Sequence, residues 1–104
     1  MSFPNTYSDD EVALEKRVRV KKPRLYKVLL HNDDFTSMDF VVLILVEIFH
    51  KNINEATAVM LNVHNKGSGV AGIYTREICE CKIDEVHDLA EENEFPLLCT
   101  MEPA

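Results

Sequence analysis

Apolar positions are sparse up to residue 23 and dense afterwards, and the rhythm of the second part predicts six elements. Arg24–His31 (RLYKVLLH) holds Leu25, Tyr26, Val28, Leu29 and Leu30 without a turn former, and reads as a strand. Asn32-Asp33-Asp34-Phe35-Thr36-Ser37 is rich in side chains that bond their own backbone, and reads as a turn. A helix is predicted over 38–50, with Thr36 as N-cap and Asp39 completing an approximate capping box. Its only charges before His50 are Asp39 and Glu47. A helix apolar all round must be covered on more than one side, by a sheet and another helix or with one face lining a groove.

A second helix is predicted over 55–66, capped by Asn54 and closed by Gly67, which suits the left-handed position after a helix. Val70–Tyr74 is β-prone and reads as a strand. Its glycines lack the G-x-G-x-x-G spacing of a dinucleotide site. Thr75 opens a third helix over 76–92, where Cys79, Ile83, Val86 and Ala90, with Ile78 and Leu89, recur at helical spacing. Phe95–Met101 is the last strand, with Pro96 at its start, where a missing N–H is tolerated. The order β-α-α-β-α-β implies an α/β (α+β) fold, a three-stranded, mainly antiparallel sheet packed with three helices. Residues 24–104 form this core domain. Residues 1–23, mixed in charge and ending at Pro23, read as a flexible N-terminal arm, with a helix-start box at Ser8-Asp9-Asp10-Glu11.

Composition narrows the class. At 104 residues, 46% apolar and 28% charged, the chain suits one globular domain. The longest apolar run, Val41–Val46, is far short of the ~20 residues of a membrane span, and the polar N-terminus has no signal-peptide core. Cys79, Cys81 and Cys99 are an odd count and read as reduced thiols of a cytoplasmic protein. Charge is divided unevenly. Residues 1–24 carry six bases against four acids, and the remainder carries five bases against fourteen acids. An acidic body excludes nucleic acid as a partner and favours cations, including the α-ammonium of a polypeptide.

The candidate chemistry lies in the turn and on two helices. Asn32 and Asp33 occupy the turn, Thr36, Met38 and Val41 follow, and Met60, Val63 and His64 share one face of the second helix at i, i+3 and i+4. An ionised Asp33 only accepts hydrogen bonds, Asn32 adds a carbonyl, and a neutral His64 adds one ring nitrogen. Such acceptors suit the three N–H donors of an α-ammonium, with Met and Val beside them for an apolar side chain. Taken singly, each residue also has an ordinary structural reading. Asn-Asp-Asp is a common turn, Met60 and Val63 suit a core, and His64 suits a helix C-terminus. An enzyme built on Asp33, Asp34 and His64 lacks a nucleophile in any known signature. Zinc on Cys79, Cys81 and His87 lacks a fourth ligand and has Cys79 and Cys81 on nearly opposite helix sides.

The stretches Tyr26-Lys27-Val28-Leu29-Leu30, Asn32-Asp33-Asp34-Phe35-Thr36, Met38-Asp39-Phe40-Val41, Ala56-Thr57, Met60-Leu61-Asn62-Val63-His64 and Glu92 to Thr100 together resemble the ClpS family, the bacterial adaptors of the Clp protease. The resemblance spans roughly residues 24–102. It implies a non-enzymatic adaptor with no cofactor and no metal, a fold like the C-terminal domain of the ribosomal stalk protein, and a monomer. A plain stalk-like module without a pocket is the alternative that the Asn32-Asp33 turn and His64 argue against. The resemblance further implies that Asn32, Asp33 and His64 bind the α-amino group of an N-end-rule substrate. Thr36, Met38, Val41, Met60, Val63 and Leu97 would line the pocket for a first residue Leu, Phe, Tyr or Trp, with Met38 as gatekeeper against β-branched residues. Glu77 and Lys82 would contact the N-terminal domain of the ClpA unfoldase, and the arm would engage its pore. Ser37 stands where family members often carry Pro, which implies a less constrained start to the first helix.

Overall fold

The computed structural model describes residues 22–104, which build β1 (Leu25–His31), α1 (Met38–Glu47), α2 (Ile53–Lys66), β2 (Ser68–Thr75), α3 (Arg76–Glu92) and β3 (Leu98–Pro103). The expected element order holds. β1 is the central strand and pairs antiparallel with both neighbours in the order β2-β1-β3, so the sheet is wholly antiparallel. The arm over 1–23, with its helix-start box at Ser8–Glu11, lies outside the described residues apart from its last two positions. Among the described residues no helix is long and apolar enough to cross a membrane.

The pleat sorts β1 into two faces. Val28 and Leu30 are fully buried beneath the helices. Lys27 and His31 point the other way, where Lys27 pairs with Glu102 at 3.2 Å and His31 Nε2 lies 2.7 Å from Thr100 Oγ1. A register shift at Val28/Leu29 leaves Ala71 of β2 without a partner on β1 and buries it in the core. α3 packs across all three strands, α2 packs on β2, and α1 packs on α2. α1 contributes Phe40, Val41, Ile44 and Leu45 to the core, and its Phe40 ring meets Phe95 with centroids 4.7 Å apart. The all-round apolar helix is thus covered by neighbours on its inner side, while Met38 and Val41 turn toward a cavity.

Boundaries differ from expectation where local hydrogen bonds decide them. Ser37, not Thr36, is the N-cap of α1, its Oγ accepting from the Phe40 N–H at 3.1 Å. The helix start is therefore held by a cap in place of the proline ring, and Asp39 sits in the first turn, where a negative charge favours the helix dipole. α1 stops at Glu47 rather than residue 50, and His50 takes a left-handed conformation with φ 55°. α2 begins earlier than expected. Asn52, not Asn54, caps it, in a capping box with Glu55 whose two bonds measure 2.8 and 3.4 Å. β3 covers Leu98–Pro103 rather than 95–101, because Glu94 at φ 60° turns the chain and pairing with β1 begins only at Leu98.

Two glycines bring α2 close to β2. Gly67 closes the helix at φ 92°, donating its N–H to the Val63 carbonyl at 3.0 Å. Gly69 is buried, and a Cβ there would lie 2.9 Å from Val63 Cγ2 and 3.2 Å from the Val59 carbonyl oxygen. Val63 is β-branched and stiff, so the helix itself would have to move. Gly69→Ala is expected to lower unfolding free energy by roughly 1–3 kcal/mol in urea titration, as overpacking does elsewhere, without changing the m-value.

Candidate functional site

Antiparallel pairing of β1 with β2 puts the end of one strand beside the start of the other. The turn that leaves β1 therefore lies against the last turn of α2, which enters β2. A backbone hydrogen bond from Asn32 N–H to the Gly67 carbonyl, 2.9 Å long, ties the two together. Between them opens a cavity of about 410 Å³, within the range of small-ligand sites. Asn32, Asp33 and Thr36 line it from the turn, Met38 and Val41 from α1, and Met60, Val63 and His64 from α2. Residues that the sequence singled out separately thus share one concavity, with polar groups from the turn and His64 and an apolar wall from the two helices. Asp34, Phe35 and Ser37 also line it, and the sequence pattern had assigned none of them to the pocket. Phe35 is the one for which a signal existed, since a large aromatic stands alone among turn formers.

Leu97 falls outside this arrangement. It is 4% exposed, belongs to the core, and does not line the cavity. Leu97 is part of the buried core and Phe95 packs against it, although the neighbouring Leu98 pairs with His31 at the start of the turn.

Asp33 organises the turn. Its Oδ1 accepts the N–H of Phe35 at 2.8 Å and of Thr36 at 2.7 Å, and its Oδ2 accepts the Thr36 hydroxyl at 2.7 Å. A carboxylate offers about four acceptor positions, so the free position lies on Oδ2. Partial burial pushes the carboxyl pKa up, but the bonds from the Thr36 N–H, the Thr36 hydroxyl and the Phe35 N–H outweigh it. The net result holds it below the ordinary 3.8. The group is ionised at neutral pH and presents a negative charge to the cavity.

The other predicted contacts lie elsewhere. Glu77 is exposed in the first turn of α3, in a shallow cleft with Arg76, Thr75, Pro23 and Arg24. Lys82 is half-buried and points inward. Its Nζ donates to the Ile48 carbonyl at 2.7 Å and lies 6.0 Å from the Phe49 ring centroid and 5.8 Å from that of Tyr74. It ties α3 to the chain leaving α1. Cys79 is buried with its Sγ toward the carbonyls of Tyr26 and Tyr74, Cys81 is exposed, and burial, with the nearby Cys79, pushes the Cys99 thiol up to about 12. His87 accepts the Cys99 N–H at 3.1 Å, and among the described residues no three His, Cys, Asp or Glu side chains are grouped as a metal site would need.

A sequence model of the family described as "ATP-dependent Clp protease adaptor protein ClpS" matches residues 21–100. The chain is 52% identical over 101 residues to an ATP-dependent Clp protease adapter protein ClpS of Desulfatibacillum aliphaticivorans, covering 96% of this chain and 97% of that one. It is 52% identical over 94 residues to the same-named protein of Syntrophus aciditrophicus, covering 90% and 88%. Among solved structures, Agrobacterium tumefaciens ClpS2 bound to L-phenylalaninamide is similar, with TM-score 0.77 and 41% identity over 80% of this chain and all of that one.

The hydrogen bonds to Asp33 set a testable sign. A carboxyl with a folded-state pKa below its unfolded value adds stability above the unfolded pKa, and that stability is lost as pH falls through the folded value. Stability is therefore expected to decline below about pH 4, with a smaller decline in Asp33→Asn. Thr36→Val removes the hydroxyl bond to Oδ2, and NMR titration of the Asp33 carboxyl carbon should give a higher pKa than in the unaltered protein.

Proposed function

The chain belongs to the ClpS family of ATP-dependent Clp protease adaptor proteins, an adaptor and not an enzyme, and from that premise we propose that its turn–α2 cavity captures polypeptides by a free N-terminal residue. The observation that carries the reading is the meeting of Asn32, Asp33 and His64 with Met38, Val41, Met60 and Val63 around one cavity. The free position on Asp33 Oδ2 takes one N–H of an α-ammonium, leaving the others for Asn32 and His64. Bonds of this charge-assisted kind contribute about 1.5–3 kcal/mol each. The first side chain enters the apolar wall, where burial of Leu or Phe contributes about 1.5–3 kcal/mol. Together these contributions support micromolar binding, about 8 kcal/mol, where association costs lie at the low end of their range. Leu, Phe, Tyr and Trp fit as first residues. A residue branched at Cβ meets Met38, which stands at the start of α1 on the cavity wall. The phenylalaninamide held by the similar ClpS2 protein, a free α-amine on an aromatic residue, supports the same reading.

The captured protein is then delivered to the N-terminal domain of the ClpA unfoldase of a cytoplasmic Clp protease by a monomeric adaptor. Glu77 is the surface residue we assign to that contact, and its cleft adjoins Pro23 and Arg24, where the proposed arm leaves the core. Lys82 serves the contact indirectly, by holding α3 against the end of α1.

Fluorescence anisotropy with labelled peptides tests capture. Leu and Phe peptides are expected to bind tightly, Ile peptides weakly and acetyl-Leu peptides not at all. Asp33→Asn retains an oxygen for the turn but loses the charge, and should weaken Leu binding by about 10- to 100-fold. Equal binding of acetylated and free peptides would remove the α-ammonium from the account. Delivery is tested in a reconstituted ClpAP degradation assay. Glu77→Ala and removal of residues 1–20 should each slow degradation of a Leu-initiated substrate while sparing peptide affinity. Lys82→Met should in addition lower the melting temperature, which Glu77→Ala should not.

A further inference from the structure

Phe35 is the most exposed large apolar side chain among the described residues, at 78%, and it stands at the rim of the cavity just described. A single exposed phenylalanine needs no explanation by itself. This one is held in a particular way. Its backbone N–H bonds to Asp33 Oδ1 at 2.8 Å, and the next N–H bonds to the same oxygen at 2.7 Å. The carboxylate assigned to the α-ammonium therefore also fixes the base of the Phe35 side chain, so that contact with the ring costs little ordering of the backbone.

Consider a chain whose α-ammonium rests on Asp33 and whose first side chain points into the cavity. The second Cα follows about 3.8 Å on, and in an extended chain successive side chains point to opposite sides. The second side chain must then emerge at the mouth, on the rim that Phe35 occupies. We propose that Phe35 forms a second subsite that takes the side chain of the bound polypeptide's second residue and favours a large apolar or aromatic one. The proposal rests on the reading of the cavity as an acceptor of chain N-termini and adds a second position to its selectivity. Phe35 acts here as a specificity residue: it touches the ligand, and it takes no part in holding the α-ammonium.

The experiment uses labelled Leu-X peptides, otherwise identical, with X as Phe, Leu, Ser or Gly. Affinities are measured by anisotropy for the full chain and for Phe35→Ala, Phe35→Ser and Phe35→Tyr. The unaltered protein should bind Leu-Phe about three- to tenfold more tightly than Leu-Gly, the size of one aromatic contact. That ratio should fall to near one in Phe35→Ala and Phe35→Ser and persist in Phe35→Tyr. A purely structural role would weaken every peptide alike and leave the ratio unmoved, which would overturn the proposal. So would equal affinities for Leu-Phe and Leu-Gly in the unaltered protein, a result that needs no variant to fold. If neither peptide binds, the cavity reading fails and the second subsite with it. If both bind equally, only the role of Phe35 is lost.

Discussion

A backbone hydrogen bond from the Asn32 N–H to the Gly67 carbonyl carries the β1–β2 pairing one step further, into the two parts of the chain on which the site depends. On one side lies the turn leaving β1, on the other the last turn of α2. Neither could hold its side chains over a shared cavity alone. Gly67 reaches the bond through a left-handed conformation, and Gly69 then lets α2 settle onto β2 at a distance that any Cβ would prevent. Val63 and His64 reach the cavity because of these two small residues, which themselves carry no chemistry. A structural requirement of the αβ connection is in this way also a requirement of the pocket.

Asp33 shows how a short turn can be both scaffold and ligand group. Three bonds from residues two and three positions ahead close the loop and hold the carboxylate in its ionised form. One acceptor position remains. The same bonds that lower the pKa leave the charge in place for a cation, so the stability of the turn and the electrostatics of the cavity have one origin. Phe35 and Thr36, whose N–H groups supply two of those bonds, are thereby oriented with it.

Resemblance to a family assigns roles by position, and position alone does not say which way a side chain points. Glu77 and Lys82 lie five residues apart on α3, yet one faces solvent while the other caps the Ile48 carbonyl between two aromatic rings. Leu97 has the composition of a pocket residue but is not among those around the cavity, although Val41 and Val63, equally buried, are. In both cases tertiary packing decided between readings that the residue type left open.

Much of the fold was legible in the chain itself. Helical spacing marked α3 to its ends, and the glycine after Lys66 marked the close of α2. The run Arg24–His31 marked the first strand to within one residue, because periodicity and turn chemistry are local properties. Local competition blurred the caps: Ser37 and Asn52 won over Thr36 and Asn54 because Thr36 was already bonded to Asp33 and because Asn52 had Glu55 three positions on. The residue types of the site were also readable, since a carboxylate, an amide and an imidazole near apolar helix faces suit a cation with a greasy neighbour. What the linear pattern could not contain was their convergence. That depends on which strand β1 pairs with, in which direction and at what register, and such pairing is settled by burial of Val28, Leu30 and the helices over the whole domain rather than by any segment. Only the assembled structure places residue 33 opposite residue 64, turns Leu97 inward and leaves Phe35 standing at the mouth.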